Sequence, residues 1–229
     1  MSAIANGSYE SILFDLDGTL VDTAPDMVSA LRDLQQQYGL DPVAYDLGRS
    51  QVSNGALGLL RIGFPDSDDK GHQDLMCQFI DLYKDRLARE SALFAGLDEL
   101  LCELEDAGRP WGVVTNKPAH LTNPLLEQLR LTKRCACIVS GDTLEHRKPH
   151  PAPLLYACEL AGVEPSRTMY AGDAARDIEA GHAAEMTTIA VSYGYITADD
   201  DPLRWGAEHI AASTEELTQI VRKAVNLSA

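Results

Sequence analysis

Five short apolar runs constrain what this chain can fold into. They are Ser11-Ile12-Leu13-Phe14, Trp111-Gly112-Val113-Val114, Ala136-Cys137-Ile138-Val139, Thr168-Met169-Tyr170-Ala171 and Thr188-Ile189-Ala190-Val191. Each has the length of a strand and reads as near-continuous apolar sequence, the pattern of a strand buried on both faces. From Gly96 the runs alternate with helical patterns over Leu97 to Ala107, His120 to Leu129, Pro151 to Ala161, Asp177 to Ala184 and Thr214 to Val225. Such alternation predicts an α/β fold: a doubly wound parallel sheet with helices on both faces.

Between the first run and Ala92 the texture is helical throughout. Thr23-Ala24-Pro25 predicts a helix start, with Thr23 as N-cap and Pro25 in the first turn, and the pattern continues through Met27, Ala30, Leu31 and Leu34 towards Gly39. Further helices are expected over Asp46 to Ile62 and Asp68 to Glu90, parted by Gly63-Phe64-Pro65. A block this long is not a loop. It predicts an inserted helical subdomain, giving a core of 1–22 and 91–229 and a helical cap of 23–90.

Charge and cysteine usage narrow the function classes. The 229 residues carry a net charge of -16, which argues against nucleic acid or an anionic membrane as partner. No run approaches the ~18 apolar residues of a membrane span, and Met1 to Gly7 lacks the basic and apolar regions of a signal peptide. The five cysteines are scattered and read as core thiols in a reducing compartment, so the expected location is the cytoplasm.

In an open parallel sheet, ligands gather beyond the carboxyl ends of the strands. The first run delivers Asp15 and Asp17, spaced i and i+2, before a turn at Gly18 and the hydroxyl of Thr19. Two crowded carboxylates repel unless a cation or a shared proton relieves them. That suits a divalent metal, with one Asp free to attack or to move a proton. The second run ends at Thr115-Asn116-Lys117, Lys148 follows the third, and the fourth leads into Gly172-Asp173-Ala174-Ala175-Arg176-Asp177. Taken singly, Thr115 is a helix cap, Lys148 a solvated charge, Asp173 an N-cap and Asp177 a first-turn acid. Together, at successive strand ends, they describe a site. The chain has no P-loop, dinucleotide fingerprint or Gly-x-Ser-x-Gly elbow. His146 and His150 are four apart, but Pro149 between them argues against a zinc-binding helix.

The four segments Asp15-Leu16-Asp17-Gly18-Thr19, Val113-Val114-Thr115-Asn116, Lys148-Pro149 and Gly172-Asp173-Ala174-Ala175-Arg176-Asp177, in this order, resemble the haloacid dehalogenase-like hydrolases across the whole chain. The helical block after the first segment is similar to that family's small cap. The resemblance implies that Asp15 is a nucleophile forming an aspartyl-phosphate and that Asp17 is acid to the leaving oxygen, then base to water. It implies phosphate binding by Thr115, Asn116 and Lys148, and Mg²⁺ on Asp15, the Asp17 carbonyl and Asp173, with Asp177 orienting that shell. A small phosphorylated metabolite is the implied substrate. Within the family the chain resembles phosphoglycolate phosphatase-like enzymes. The stretch Arg147 to Leu155 and the tail from Tyr193-Gly194-Tyr195 to Trp205-Gly206-Ala207 resemble N-acetylmuramate 6-phosphate phosphatases of that group. One departure is Glu185, where relatives usually carry a helix-terminating Gly; a left-handed Glu there costs about 1 kcal/mol.

Asp17 counts against a dehalogenase, whose branch lacks the second Asp of the triplet. A sugar phosphomutase and a non-catalytic binding module are the remaining alternatives on this scaffold. Substrate choice is expected to fall to the cap, through Asn54 and Gly55 of the polar stretch Ser53-Asn54-Gly55-Ala56, unless that stretch is only an interhelical turn.

Overall fold

A computed structural model describes residues 9–227. Met1 to Gly7, the stretch bearing on a signal peptide, lies outside the described residues. Chain order begins with β1 (Ser11–Phe14), a two-residue β2 (Val21–Asp22) and then four helices: α1 (Ala24–Gln37), α2 (Tyr45–Ser50), α3 (Gly55–Gly63) and α4 (Asp69–Lys84). The chain returns through β3 (Ala92–Leu93), antiparallel to β2, so a short ribbon carries it into and out of the helical block. There follow α5 (Leu97–Asp106), β4 (Trp111–Val114), α6 (Ala119–Gln128), β5 (Cys137–Val139), α7 (Ala152–Ala161), β6 (Thr168–Gly172), α8 (Ala175–Ala183), β7 (Thr187–Val191), β8 (His209–Ala211) and α9 (Thr214–Val225).

Six strands form one parallel sheet in the order β5-β4-β1-β6-β7-β8. β1 is central, paired on one side with β4 and on the other with β6, so the site-bearing strand ends are neighbours. Its side chains alternate between two cores. Ile12 and Phe14 join the larger, with leucines of α5 and α6 and the apolar face of α9; Leu13 joins the smaller, with Val114, Tyr170 and residues of α7 and α8. The sheet is thus covered on both faces, as parallel sheets require. Cys137 belongs to the smaller core, while Cys135, which precedes β5, packs against the larger, and all five cysteines are free. Among the described residues no helix is long and apolar enough to cross a membrane.

The helical block differs from its sequence pattern in detail. The helix expected over Asp46 to Ile62 is broken: α2 ends at Ser50, a 3₁₀ turn spans Val52–Asn54, and Gly55 adopts φ +67°, a left-handed conformation that glycine takes without strain. The helix expected over Asp68 to Glu90 stops at Lys84, and turns carry the chain through Ala88 at φ +56°. Asp68 caps that helix by accepting from the Gly71 N–H. Thr23 precedes α1 as expected but caps nothing; its hydroxyl donates to Asp17 instead, 2.6 Å away. The third run forms strand only from Cys137. β8 carries no long apolar signal and lay outside the sequence pattern, since two of its three residues are only half-buried. Glu185 does take the left-handed conformation, at φ +58°, just past α8.

The chain's exit into the helical block and its return are fixed by two buried side chains. The Tyr195 hydroxyl accepts from the N–H groups of Thr23 (2.6 Å) and Ala24 (2.9 Å) and donates to Asp22 (2.7 Å). Asp26, in the first turn of α1, accepts from the Glu90 and Ser91 N–H groups and from the Ser91 hydroxyl. Arg49 of α2 completes the exit with an ion pair to Asp22 at 2.9 Å.

Candidate active site

Asp15 sits one residue past β1, its N–H donating to the Ala171 carbonyl of β6. It is 5% exposed, and its Oδ1 accepts from Lys148 Nζ at 2.8 Å. Lys148 is buried and donates also to the Val114 carbonyl (2.9 Å) and Tyr170 hydroxyl (2.7 Å), while Asp177 Oδ1 lies 2.7 Å away. Burial works against the Lys148 charge, but Asp15 and Asp177 outweigh it and hold the amine above its ordinary value. Asn116 explains how a loop lysine is placed so deeply. Its Nδ2 donates to the Lys148 carbonyl (3.0 Å) and its Oδ1 accepts from the Lys148 N–H (3.1 Å). The Asn116 side-chain amide is therefore spent on the backbone of Lys148. Thr115 is buried at the end of β4, with its Oγ1 accepting from the Lys117 N–H.

Asp15, Asp173 and Asp177 are all buried, and one carboxylate oxygen from each lies within 4.8 Å of the others. Burial and mutual repulsion push Asp15 up to about 6 and Asp173 to about 7. Asp173 Oδ1 is buried with no hydrogen-bond partner among the described residues. An unpartnered oxygen among three crowded acids is the donor set of a hard divalent cation, so these residues fit the Mg²⁺ that the sequence resemblance implies. The carboxylate of Asp17 belongs elsewhere, and Asp177, expected behind the metal ligands, stands among them while its Oδ2 accepts from the Ala174 N–H. Close approach around Asp173 depends on glycine: a Cβ at Gly18, where φ is +85°, would meet Asp173 Oδ2 at 2.1 Å.

Asp17 points into a different pair of contacts. Its Oδ1 accepts from the Thr23 hydroxyl and from Lys117 Nζ, the latter at 2.8 Å. Lys117 Nζ also donates to the Tyr83 hydroxyl of α4 at 2.9 Å and lies over the Tyr83 ring. Asp17 and Tyr83 keep this buried amine charged against its desolvation. From the helical block Ser53 donates to Asp173 Oδ2 (2.6 Å), and its carbonyl accepts from Arg176 Nη2 (2.6 Å). The backbone N–H of Tyr195 donates to that same Asp173 oxygen at 2.8 Å.

These groups surround a cavity of about 720 Å³ between sheet and helical block. Asp15, Asp17, Thr115, Asn116, Lys117, Lys148 and Arg176 line it from the core; Asn54, Gly55, Met76, Ile80 and Tyr83 line it from the helices. The Asn54 amide donates to Gln51 within its own turn. Lys117, Ser53 and Tyr195 make contacts to which the sequence assigns no individual role, although Lys117 and Ser53 stand in segments that it marks. Lys117 could have been found, since it directly follows Thr115-Asn116 at a strand end; Tyr195 gives no local signal.

A family model for haloacid dehalogenase-like hydrolases matches residues 12–191, from β1 to the end of β7. The chain belongs to the haloacid dehalogenase-like hydrolases. Among curated members it is 41% identical over 207 residues to the phosphoglycolate phosphatase of Xanthomonas campestris pv. campestris (strain 8004), covering 90% of this chain and 94% of that one. It is 40% identical over 217 residues to the N-acetylmuramic acid 6-phosphate phosphatase of Pseudomonas aeruginosa PAO1, covering 94% and 96%. A crystal structure described as a predicted phosphoglycolate phosphatase from Haemophilus somnus superposes with a TM-score of 0.82 at 26% identity, over 93% of this chain and 98% of that one. Within the haloacid dehalogenase-like hydrolases this chain is a phosphatase, a phosphoric monoester hydrolase.

Proposed function

We propose that this phosphatase hydrolyses a small phosphorylated metabolite in two steps through a covalent phosphoryl group on Asp15. The observation that carries the reading is the buried pair of Asp15 and Lys148, 2.8 Å apart at the floor of the cavity. A carboxylate attacks a dianionic phosphate only where fixed positive charge offsets their repulsion, and Lys148 supplies it without reorganisation. Asp15 attacks phosphorus with one oxygen, and Thr115 and Lys148 hold the phosphoryl oxygens. Asp17, on the next same-face position, gives its proton to the departing alcohol oxygen. It then takes a proton from the water that attacks the phosphoryl-Asp15, releasing phosphate and the free carboxylate. Mg²⁺ held by Asp15, Asp173 and the Asp17 carbonyl, with Asp177 beside them, would neutralise charge that develops on the phosphoryl group. The helices between β2 and β3 act as the cap, excluding water from the reacting phosphoryl group.

The names of the two relatives bracket the substrate: 2-phosphoglycolate, a two-carbon acid, or N-acetylmuramate 6-phosphate, an amino-sugar acid. The cavity favours the larger. At about 720 Å³, with Met27, Val52, Leu57, Met76, Ile80 and Leu121 in its wall, it has the size and apolar lining of sites that enclose ligands well above two carbons. Asn54 and Gly55, on the cap side of the wall, are the proposed specificity contacts.

The experiment is phosphate release from a panel containing both compounds, in Mg²⁺ and in EDTA, joined to rapid quenching with ³²P-labelled substrate. The expected result is a hydroxylamine-labile label on the wild-type chain and none on Asp15→Asn. Release of phosphate by Asp15→Asn at the wild-type rate overturns the covalent route, and release from no member of the panel overturns the substrate class.

A further inference from the structure

The cavity holds more positive charge than the phosphoryl chemistry consumes. Lys148 is engaged by Asp15 and Asp177, and Lys117 by Asp17 and Tyr83. Arg176 is different. Its half-buried guanidinium lines the cavity, yet among the described residues its one hydrogen bond goes to the backbone carbonyl of Ser53, and it forms no ion pair. A guanidinium has five N–H donors in a rigid fork shaped for a carboxylate, so most of them remain unspent. The start of α8 does not itself favour Arg176. It lies in the first turn of α8, where the helix dipole disfavours a cation. Burial also opposes its charge, which the fields of Asp177, Asp15 and Asp173 sustain. The bond from Nη2 to Ser53 ties it to the cap turn that carries Asn54 and Gly55, so the guanidinium is held at the junction of cap and core.

We propose that Arg176 reads a carboxylate on the substrate, the second anionic group of a phosphomonoester acid whose phosphoryl end lies at Asp15. This rests on the phosphatase reading above and deepens it. Lys148 at the floor takes the phosphoryl end, and Arg176 takes the acid end with its free fork. A chain of net charge -16 that concentrates an unpaired guanidinium in its cavity selects phosphomonoesters bearing a carboxylate over those with the phosphoryl group alone. The chemistry is shared by a two-carbon phospho-acid and by a sugar phosphate bearing a carboxylated ether.

Two matched pairs test it: 2-phosphoglycolate against 2-hydroxyethyl phosphate, and N-acetylmuramate 6-phosphate against N-acetylglucosamine 6-phosphate. Within each pair the phosphoryl end is the same and only the first member has the carboxylate. Wild-type enzyme should prefer the acid member of at least one pair. Arg176→Met should lower kcat/KM on that acid by on the order of 10- to 100-fold more than on its neutral partner, the range for a lost charge-assisted hydrogen bond. The difference should fall mainly in KM, and Arg176→Lys should recover part of it. Equal losses on both members overturn the proposal and assign Arg176 to the phosphoryl end. Retained preference in Arg176→Met, with loss in Arg147→Met, overturns it in favour of the exposed rim arginine. If wild type hydrolyses both members of both pairs alike, the carboxylate reading falls and the phosphatase stands; if it hydrolyses none, the failure is that of the phosphatase reading.

Discussion

Lys117 and Tyr83 meet across the boundary between the sheet and the helical block, with Nζ 2.9 Å from the phenolic oxygen and above the ring, while the same amine grips Asp17 at 2.8 Å. One buried cation therefore joins α4 to the carboxylate proposed as acid and base. Burial and the neighbouring Asp17 push the Tyr83 phenol up to about 12, so it remains a neutral donor–acceptor at any working pH.

Lys117→Met should consequently damage catalysis more than binding. Asp17 would keep only the Thr23 hydroxyl on Oδ1, and a proton donor misplaced by about 1 Å loses on the order of 10²-fold in rate. Steady-state kinetics should show a fall in kcat on alkyl phosphates, with KM little changed and a smaller fall on p-nitrophenyl phosphate, whose leaving group needs little protonation. Uniform loss on both substrates would remove Lys117 from any part in positioning Asp17.

Asp15→Asn preserves size and hydrogen bonding but removes the attacking charge. Activity should drop at least ~10³-fold, as when other covalent nucleophiles are deleted. A variant keeping more than a tenth of wild-type turnover would show that Asp15 is not the nucleophile.

The frame of this site was legible because burial wrote it plainly. β1, β4, β6 and β7 are buried nearly throughout, so each reads as an apolar run and its end marks where Asp15, Thr115 and Asp173 emerge. β8 escaped because an edge strand paired only to β7 and half-exposed needs no such run. The break between α2 and α3 falls in the polar stretch Ser53-Asn54-Gly55-Ala56, whose alternative reading as an interhelical turn marked it, although the helical pattern runs on through both sides. Lys117 stands at a legible strand end, but its role did not show there because its partner Tyr83 is 34 residues away. Tyr195 escaped for the same reason, since its contacts to Thr23 and Asp22 are purely tertiary.

The acidic trio predicts a pH dependence of stability. Burial pushes the Asp15 and Asp173 carboxyls up to about 6 and about 7, above the usual carboxylate range. The folded state therefore binds more protons than the unfolded one between about pH 4 and pH 7. Their contribution is full below pH 4 and is lost as pH rises through 6 and 7. In EDTA the Tm should fall between pH 5 and pH 8, and the fall should be shallower in Asp173→Asn. Mg²⁺ should raise Tm more at pH 8 than at pH 5, because it binds the ionised carboxylates. EDTA should also abolish turnover, and Mg²⁺ restore it. A Tm indifferent to Mg²⁺ at pH 8, with full turnover in metal-free enzyme, would refute the metal assignment.

Tyr195→Phe should destabilise the protein without touching the phosphoryl site. The lost hydroxyl accepts from two backbone N–H groups at the entry to α1, and the buried Thr23 N–H would be left without its partner. An unsatisfied buried donor costs about 1–3 kcal/mol, to be read as a shift in the denaturant midpoint at unchanged m-value. An unchanged midpoint would mean the cap junction is held by Asp26 and Arg49 alone.

Asn54→Ala separates a specificity contact from an interhelical turn. Asn54 lines the cavity from the cap side, and its amide is anchored to Gln51, so truncation loosens a wall and leaves Asp15 and Lys148 in place. If that wall touches substrate, kcat/KM should fall for the better substrate of the panel and hold for p-nitrophenyl phosphate, which offers the cap little to grip. The two substrates share the same nucleophile, lysine and metal, so damage to the core would depress them together. Equal loss on both would therefore refute a cap-specificity role for Asn54. Unchanged kinetics on both would make residues 52–55 a structural turn, leaving recognition to Arg176 and to the apolar wall of α4.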